Sequence, residues 1–242
     1  MIHLHKYRAT ENLGDAIQTI AAIQCLDRVL PKHEPIGFVE RDQPPGPVER
    51  ALVNGFLDRR WRWQIGRNAF CGVHCADAAT AARVVAATSY PIGARDPYTR
   101  DLLLNLGADA SFIGCATLTF PRYYTGPRAG LWSVDCTDVV GATALTHKIP
   151  ADLSWEHQIE LAYRMLSRYE SAEAVWTSRL HVLLPCIAFG TPVCLTHVPC
   201  PNRFGIAEVL GVKPGGSPRT YDCADLARLY EIWLSDSFIR LS

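Results

Sequence analysis

The chain has 242 residues, 48% of them hydrophobic and 20% charged, which is enough apolar material for one large α/β domain or two lobes of about 120 residues each. Lys plus Arg and Asp plus Glu both number 24. That balance excludes the basic excess of a nucleic-acid surface, and no window holds the roughly 18 consecutive apolar residues of a membrane span.

Short apolar runs alternate with helical stretches, as in parallel α/β folds. The N-terminus, MIHLHKYRATENLGD, has too short an apolar stretch for a signal peptide. Its Ile2 to Tyr7 reads as a first strand and Arg8 to Gly14 as a polar loop. Asp15 to Leu30 reads as a buried helix, capped by Asp15 and ended by Pro31. Pro35 to Glu40 is a second strand, residues 42–47 a Pro-rich loop, and Ala51 to Val53 a short run closed by Asn54-Gly55. Ala69 to Val73 is the next strand and runs into His74. Ala76 to Ala87 is a helix, and Tyr90 to Ala94 a strand leading into Arg95-Asp96. Pro97 to Leu106 is a helix with proline in its first turn and Gly107 at its end. Ser111 to Cys115 is a strand followed by Thr117. Pro121 to Gly130 breaks the pattern, which divides the chain into lobes 1–128 and 129–242. In the second lobe, strands are expected at Gly130 to Val134, Ala174 to Thr177 and Pro192 to Thr196. Helices are expected at Leu153 to Arg168, His181 to Phe189 and Ala224 to Trp233. Pro185 falls about one turn into its helix, where proline is tolerated better than further in.

Nine cysteines are present. Cys25, Cys115 and Cys186 sit in apolar segments, so reduced, buried thiols of a cytoplasmic protein are expected. Two patterns have metal-like spacing: Cys71-x3-Cys75 around His74, and Cys194-x2-His197-x2-Cys200. Neither has the separated partner pair a structural zinc needs, so no metal and no cofactor are assigned. Trp61, Trp63, Tyr123 and Tyr124 form an aromatic set suited to packing or to stacking on a sugar.

Parallel sheets bind ligands outside the carboxyl ends of their strands. The residues expected there are Asn12, Asp15, Asn54, His74, Arg95, Thr117, Ser178, Arg179 and His181. Each has a plain alternative. Asp15 can be a helix cap, Asn54-Gly55 a turn, His74 a hydrogen-bonded core histidine, Arg95-Asp96 an internal pair, and Arg179 with His181 a salt bridge and a cap. Yet a helix starting near His181 offers free N–H groups and a positive dipole end, an anion site. Arg179 adds a guanidinium that forks onto carboxylate or phosphate, and His181 a group that passes protons near neutrality.

These residues fall in motifs similar to those of a known family. NLGDAIQTIAAIQCL, LVNGF, GVH, PIGARDPYTRDLLLNLGADASFIGCATLTF and TSRLHVLLPCIAFGTPV, together spanning most of Asn12 to Val193, resemble the polysaccharide pyruvyl transferase family. The resemblance implies two Rossmann-like lobes arranged as in GT-B glycosyltransferases, with parallel sheets and the site between them. It implies transfer of a pyruvyl group from phosphoenolpyruvate to a sugar of a polysaccharide, exopolysaccharide or glycan precursor, as a ketal. By motif, Arg179, His181 and Arg95 fall at the donor anion and Asp15 on the acceptor side. In that mechanism His181 is the general acid and Asp15 or His74 the base; Arg179, Arg95, Asn12, Asn54, Thr117 and Ser178 bind substrate. The competing functions are a GT-B-type glycosyltransferase using a nucleotide sugar and a non-catalytic carbohydrate-binding relative.

Overall fold

The sequence Ile-His-Leu-His-Lys at Ile2–Lys6 forms the first strand, β1, of a six-stranded parallel sheet. The structure, a computed structural model, describes residues 1–29, 34–41, 50–61, 67–136 and 139–241. Pro31, the loop 42–47 and Trp63 lie outside the described residues. The other strands of the first sheet are β2 (Ile36–Glu40), β3 (Arg50–Leu57), β4 (Arg67–Cys75), β5 (Ile92–Ala94) and β6 (Ala110–Phe112), in the order β2-β1-β3-β4-β5-β6. A second parallel sheet holds β7 (Leu131–Val134), β8 (Thr143–Leu145), β9 (Ala174–Thr177) and β10 (Val193–Leu195), in the order β10-β9-β7-β8. The fold is α/β with two Rossmann-like parallel sheets.

Each sheet has one point where the strand order reverses, between β1 and β3 in the first and between β7 and β9 in the second. Crevices open at such points because successive crossovers run to opposite sides.

Helix α1 (Gly14–Val29) is buried on most sides: Ala16, Ile17, Ile20, Ala21, Ala22, Cys25 and Leu26 are all inaccessible. It packs on α4 (Trp155–Ser171) and α5 (Leu180–Ala188) of the second lobe and on α7 (Ala224–Leu241). One apolar core therefore runs from Leu4 and Ile20 through Val175 and Leu183 to Phe204 and Leu234. A smaller core beneath α2 (Ala78–Ala86) and α3 (Pro97–Asn105) holds Val53, Trp61, Phe70 and Leu103. Trp61 belongs to that core, whereas Tyr123 is 76% exposed.

The closing helix α7 does not stay with the second lobe. It lies on β4, where the Tyr230 hydroxyl donates to the Cys71 carbonyl at 3.1 Å. Gly72 makes room for it. Its φ is +72°, and a Cβ there would fall 2.8 Å from both the Tyr230 ring and the Gly114 carbonyl. The division at 128/129 separates the sheets, but α7 completes the first lobe. Two further elements were not expected from the sequence: β8 and a helix α6 (Pro201–Val209) that follows β10.

All nine cysteines are free thiols. Burial pushes Cys75 up to about 12 and Cys25 and Cys223 up to about 11. Only the thiolate reacts. Titration with a chromogenic disulfide near neutral pH should therefore find two fast thiols in the folded protein, the half-buried Cys136 and Cys200, and all nine after denaturation. Fast modification of Cys25 or Cys186 in the folded protein would contradict this packing.

Candidate functional site

At the second sheet's reversal, β7 runs into Asp135, β9 into Ser178 and Arg179, and β10 leads to His197. A cavity of about 510 Å³ opens there, lined by Asp135, Cys136, Lys148, Ser178, Arg179 and His197. Asp135 has φ +49°, a conformation Asp tolerates because its short polar side chain bonds locally. Its carboxylate accepts from Thr146 Oγ1 at 2.6 Å, the His147 amide at 2.9 Å and Arg179 Nε at 2.8 Å. Burial opposes its charge, yet these donors hold the carboxyl below its usual range. The Ser178 hydroxyl donates to the Asp135 carbonyl at 2.6 Å. Arg179 is thus held by one edge at the helix start, with a side chain 32% exposed toward the cavity.

His181 takes a different course. Its backbone leaves the helical region inside α5, at φ −86° and ψ 22°. The cause lies four residues on. Pro185 has no N–H to give the His181 carbonyl, and its ring crowds that carbonyl. Pro185 is therefore a shaping residue inside α5 and not merely a tolerated one. His181 is 5% exposed and packs under the start of α1, where a Cβ on Gly14 would come within 3.0 Å of its Nδ1. Its Nε2 has no hydrogen-bond partner among the described residues. Arg179 and His181 do not share one opening: the first faces the second-lobe cavity, the second the seam between lobes.

Asp15, in the first turn of α1, faces the same seam. It accepts from Thr10 Oγ1 at 2.6 Å and from Asn12 Nδ2 at 3.4 Å. Burial raises its carboxyl above the usual value, against the pull of Thr10, Arg41 and Arg203. Asn12 also accepts from the Gly14 amide at 3.3 Å and bridges to Lys148 of the second lobe.

From the first sheet, β5 delivers Arg95 and Asp96. Arg95 is fully buried, and none of its three guanidinium nitrogens has a hydrogen-bond partner among the described residues. Its nearest acid is Asp96, at 3.5 Å. Asp96 is already committed: it accepts from His74 Nδ1 at 2.7 Å and caps α3 through the Thr99 amide at 2.9 Å. His74 lies within β4 instead of the loop beyond it, and its ring stacks on Phe56 at 5.5 Å. Burial, aided by Arg95, lowers His74 to about 4. Burial first, then Arg95 and Arg203, hold His181 well below its usual value.

Two expected binders are not brought to this group. Asn54 stands inside β3, where its amide donates to the Gln18 carbonyl at 3.3 Å; the strand continues past the Asn-Gly pair through a bulge. Thr117 sits in a buried 3-10 turn (Ala116–Thr119) and donates to Cys115 Sγ at 3.2 Å. Among the described residues no three His, Cys, Asp or Glu side chains stand together as a metal site.

Three residues were missed. Asp135 follows a strand directly, a position that could have been noticed. Arg203 lies in the first turn of α6, over the Phe56 ring at 4.6 Å, with its Nε buried and unpartnered. Only the Pro201 helix start hinted at it. Lys148 reaches the cavity through its bridge to Asn12, which no local pattern announces.

The neutral histidines set a pH dependence. His74 is lowered to about 4, and His5 and His147 to about 3, chiefly by burial. In the unfolded chain they take up protons near pH 6.5, so the unfolded state gains protons first and stability falls with acid. The low carboxyls of Asp96 and Asp135 act in the same direction; Asp15, raised, acts in the opposite one. Calorimetry should show the melting temperature dropping steadily from about pH 6.5 to 4. A flat profile would mean these imidazoles are not buried neutral.

The profile of the family described as polysaccharide pyruvyl transferase matches residues 76–196. A functionally uncharacterised protein of Klebsiella pneumoniae subsp. pneumoniae superposes with a TM-score of 0.56 at 13% identity, over 86% of this chain and 88% of its own. S. aureus MnaA, solved with UDP, gives a TM-score of 0.49 at 10% identity, over 99% of this chain and 89% of its own. No curated protein matches the sequence. The matched segment takes in Arg95, Asp96, Asp135, Arg179 and His181 and covers half of the 242 residues; the chain belongs to the polysaccharide pyruvyl transferase family.

Proposed function

We propose that the chain moves a pyruvyl group from phosphoenolpyruvate onto two hydroxyls of a sugar, as a cyclic ketal. The observation that supports this most is Arg95. A guanidinium wholly buried, with no hydrogen-bond partner among the described residues, is costly unless something anionic completes it. Arg203 and the starts of α1 and α5 add positive potential at the same seam. Arg179 and Lys148 offer a second set of cations in the neighbouring cavity, beside His197. A donor carrying both a carboxylate and a phosphate suits two such sets.

In the reaction, C3 of the donor takes a proton and C2 becomes electrophilic. One sugar hydroxyl adds to C2, the C2–O bond to phosphorus breaks, and phosphate leaves with the electron pair. The second hydroxyl closes on C2. Of the two hydroxyl protons, one balances that taken by C3, and the other leaves with phosphate or a base. Burial first, and then two arginines, oppose the charge of His181 and hold it neutral. A bound dianion offsets those arginines, so the donor itself equips His181 to act as the acid. His74, oriented through Nδ1 by Asp96, or Asp15, with its raised carboxyl, serves as the base.

His181→Ala should lower turnover of phosphoenolpyruvate by roughly a hundred- to ten-thousand-fold and leave the melting temperature within a few degrees. Wild-type turnover in that variant would remove His181 from the reaction. Arg95→Met replaces a buried guanidinium, ion-paired with Asp96 at 3.5 Å but without a hydrogen-bond partner among the described residues, with an apolar side chain of similar length. The free protein should still fold, because His74 and the Thr99 amide continue to hold Asp96, while the thermal shift produced by phosphoenolpyruvate is lost. A variant that is destabilised yet still shifted by the donor would make Arg95 a structural residue only.

A further inference from the structure

Past the pairing of Glu11 and Leu13 with His147 and Ile149, a second cavity of about 690 Å³ opens between the lobes. Its first-lobe wall is the carboxyl edge of β1 and β2, with Lys6, Arg8 and Glu40; its second-lobe wall is the start of α4, with Asp152, Ser154, Trp155, Glu156 and Gln158. That size is ordinary for a small-molecule site.

The polar atoms of this cavity are not all satisfied. Gln158 is 1% exposed; its Nε2 donates to the Leu153 carbonyl at 2.8 Å, and its Oε1 is buried with no partner among the described residues. Glu40 meets Lys6 at 3.6 Å and Arg8 at 3.7 Å through Oε1 alone. Its Oε2 is likewise buried and unpartnered. Both vacant atoms are acceptors, so an occupant must bring donors. A cation meets Lys6 and Arg8. An anion meets Glu40, Asp152 and Glu156. A neutral polyol meets neither objection, and its hydroxyls can also accept from the two cations. The half-buried Trp155 offers an apolar face to the C–H side of a ring.

We propose that this cavity binds a neutral saccharide, seated on Trp155 and held by Glu40 and Gln158. Saccharide binding stands by itself; that the sugar is the pyruvyl acceptor rests on the function proposed above. The test is saturation-transfer NMR and calorimetry with glucose, galactose, N-acetylglucosamine, lactose and cellobiose, with phosphoenolpyruvate in separate titrations. At least one of these sugars should bind the wild-type chain. Trp155→Ala and Glu40→Gln, each shown to be folded by its melting curve, should weaken that sugar tenfold or more and leave phosphoenolpyruvate binding unchanged. No binding by any of the five sugars, or equal binding in both folded variants, overturns the proposal. Sugar binding that depends on Trp155 in a chain that does not turn over phosphoenolpyruvate keeps this site and removes the pyruvyl-transfer reading. Turnover with sugar binding indifferent to both substitutions does the reverse.

Discussion

The arrangement depends on one buried helix. Helix α1 leaves the first sheet at its reversal and packs against α4, α5 and α7, so the start of α1 is pressed against the start of α5. Three of its side chains, Ile17, Ile20 and Leu26, are inaccessible. Burying each contributes about 1.5–3 kcal/mol, so together they resist separation of the lobes more strongly than any surface ion pair would. Gly14 eases the meeting of the two helix starts, because a Cβ there would stand 3.0 Å from His181 Nδ1 and press on the ring. Two positive helix ends face to face would repel. Asp15 in the first turn of α1 partly offsets that field, and an anion at the seam would offset it further.

Around this seam the polar groups divide by function of the lobe. The first lobe contributes Arg95, Asp96 and His74 from adjacent strands, fully buried and rigid. The second contributes Asp135 and Arg179 beside an open cavity, where Asp135 fixes the guanidinium but leaves part of it exposed. Arg203 joins the two: it stacks over Phe56 of β3 from a helix that follows β10.

Much of this was legible in the sequence, and the reasons are physical. The alternation of apolar runs with helices follows from burying both faces of a parallel sheet, so most strands and helices were anticipated to within a few residues, although β3 and α7 run on well past Val53 and Trp233 and β8 and α6 were not expected. The start of α3 announced itself by its proline, Pro97, but the Asp96 cap was not read. What failed was anything set by partners distant in sequence. Asn54-Gly55 looks like a turn, but β4 pairs with the chain on both sides of it and draws the pair into a bulge. Thr117 follows a strand yet turns into the core, because α1, α5 and α7 cover it. Strand β8 carries one mostly exposed face and only three residues, too little for a periodicity to show. Arg179 and His181 are two residues apart and look like one constellation; the proline at 185 sends them to different compartments.

The route of the chain has a consequence for motion. The last helix returns to β4, so the second sheet and its helices are inserted between two covalent crossings into the first lobe, one after β6 and one before α7. An inserted module of this kind is tethered at both ends and cannot swing as a free tail. It can only pivot about the line joining its tethers, and any such pivot shears the packing of α1 against α4 and α5.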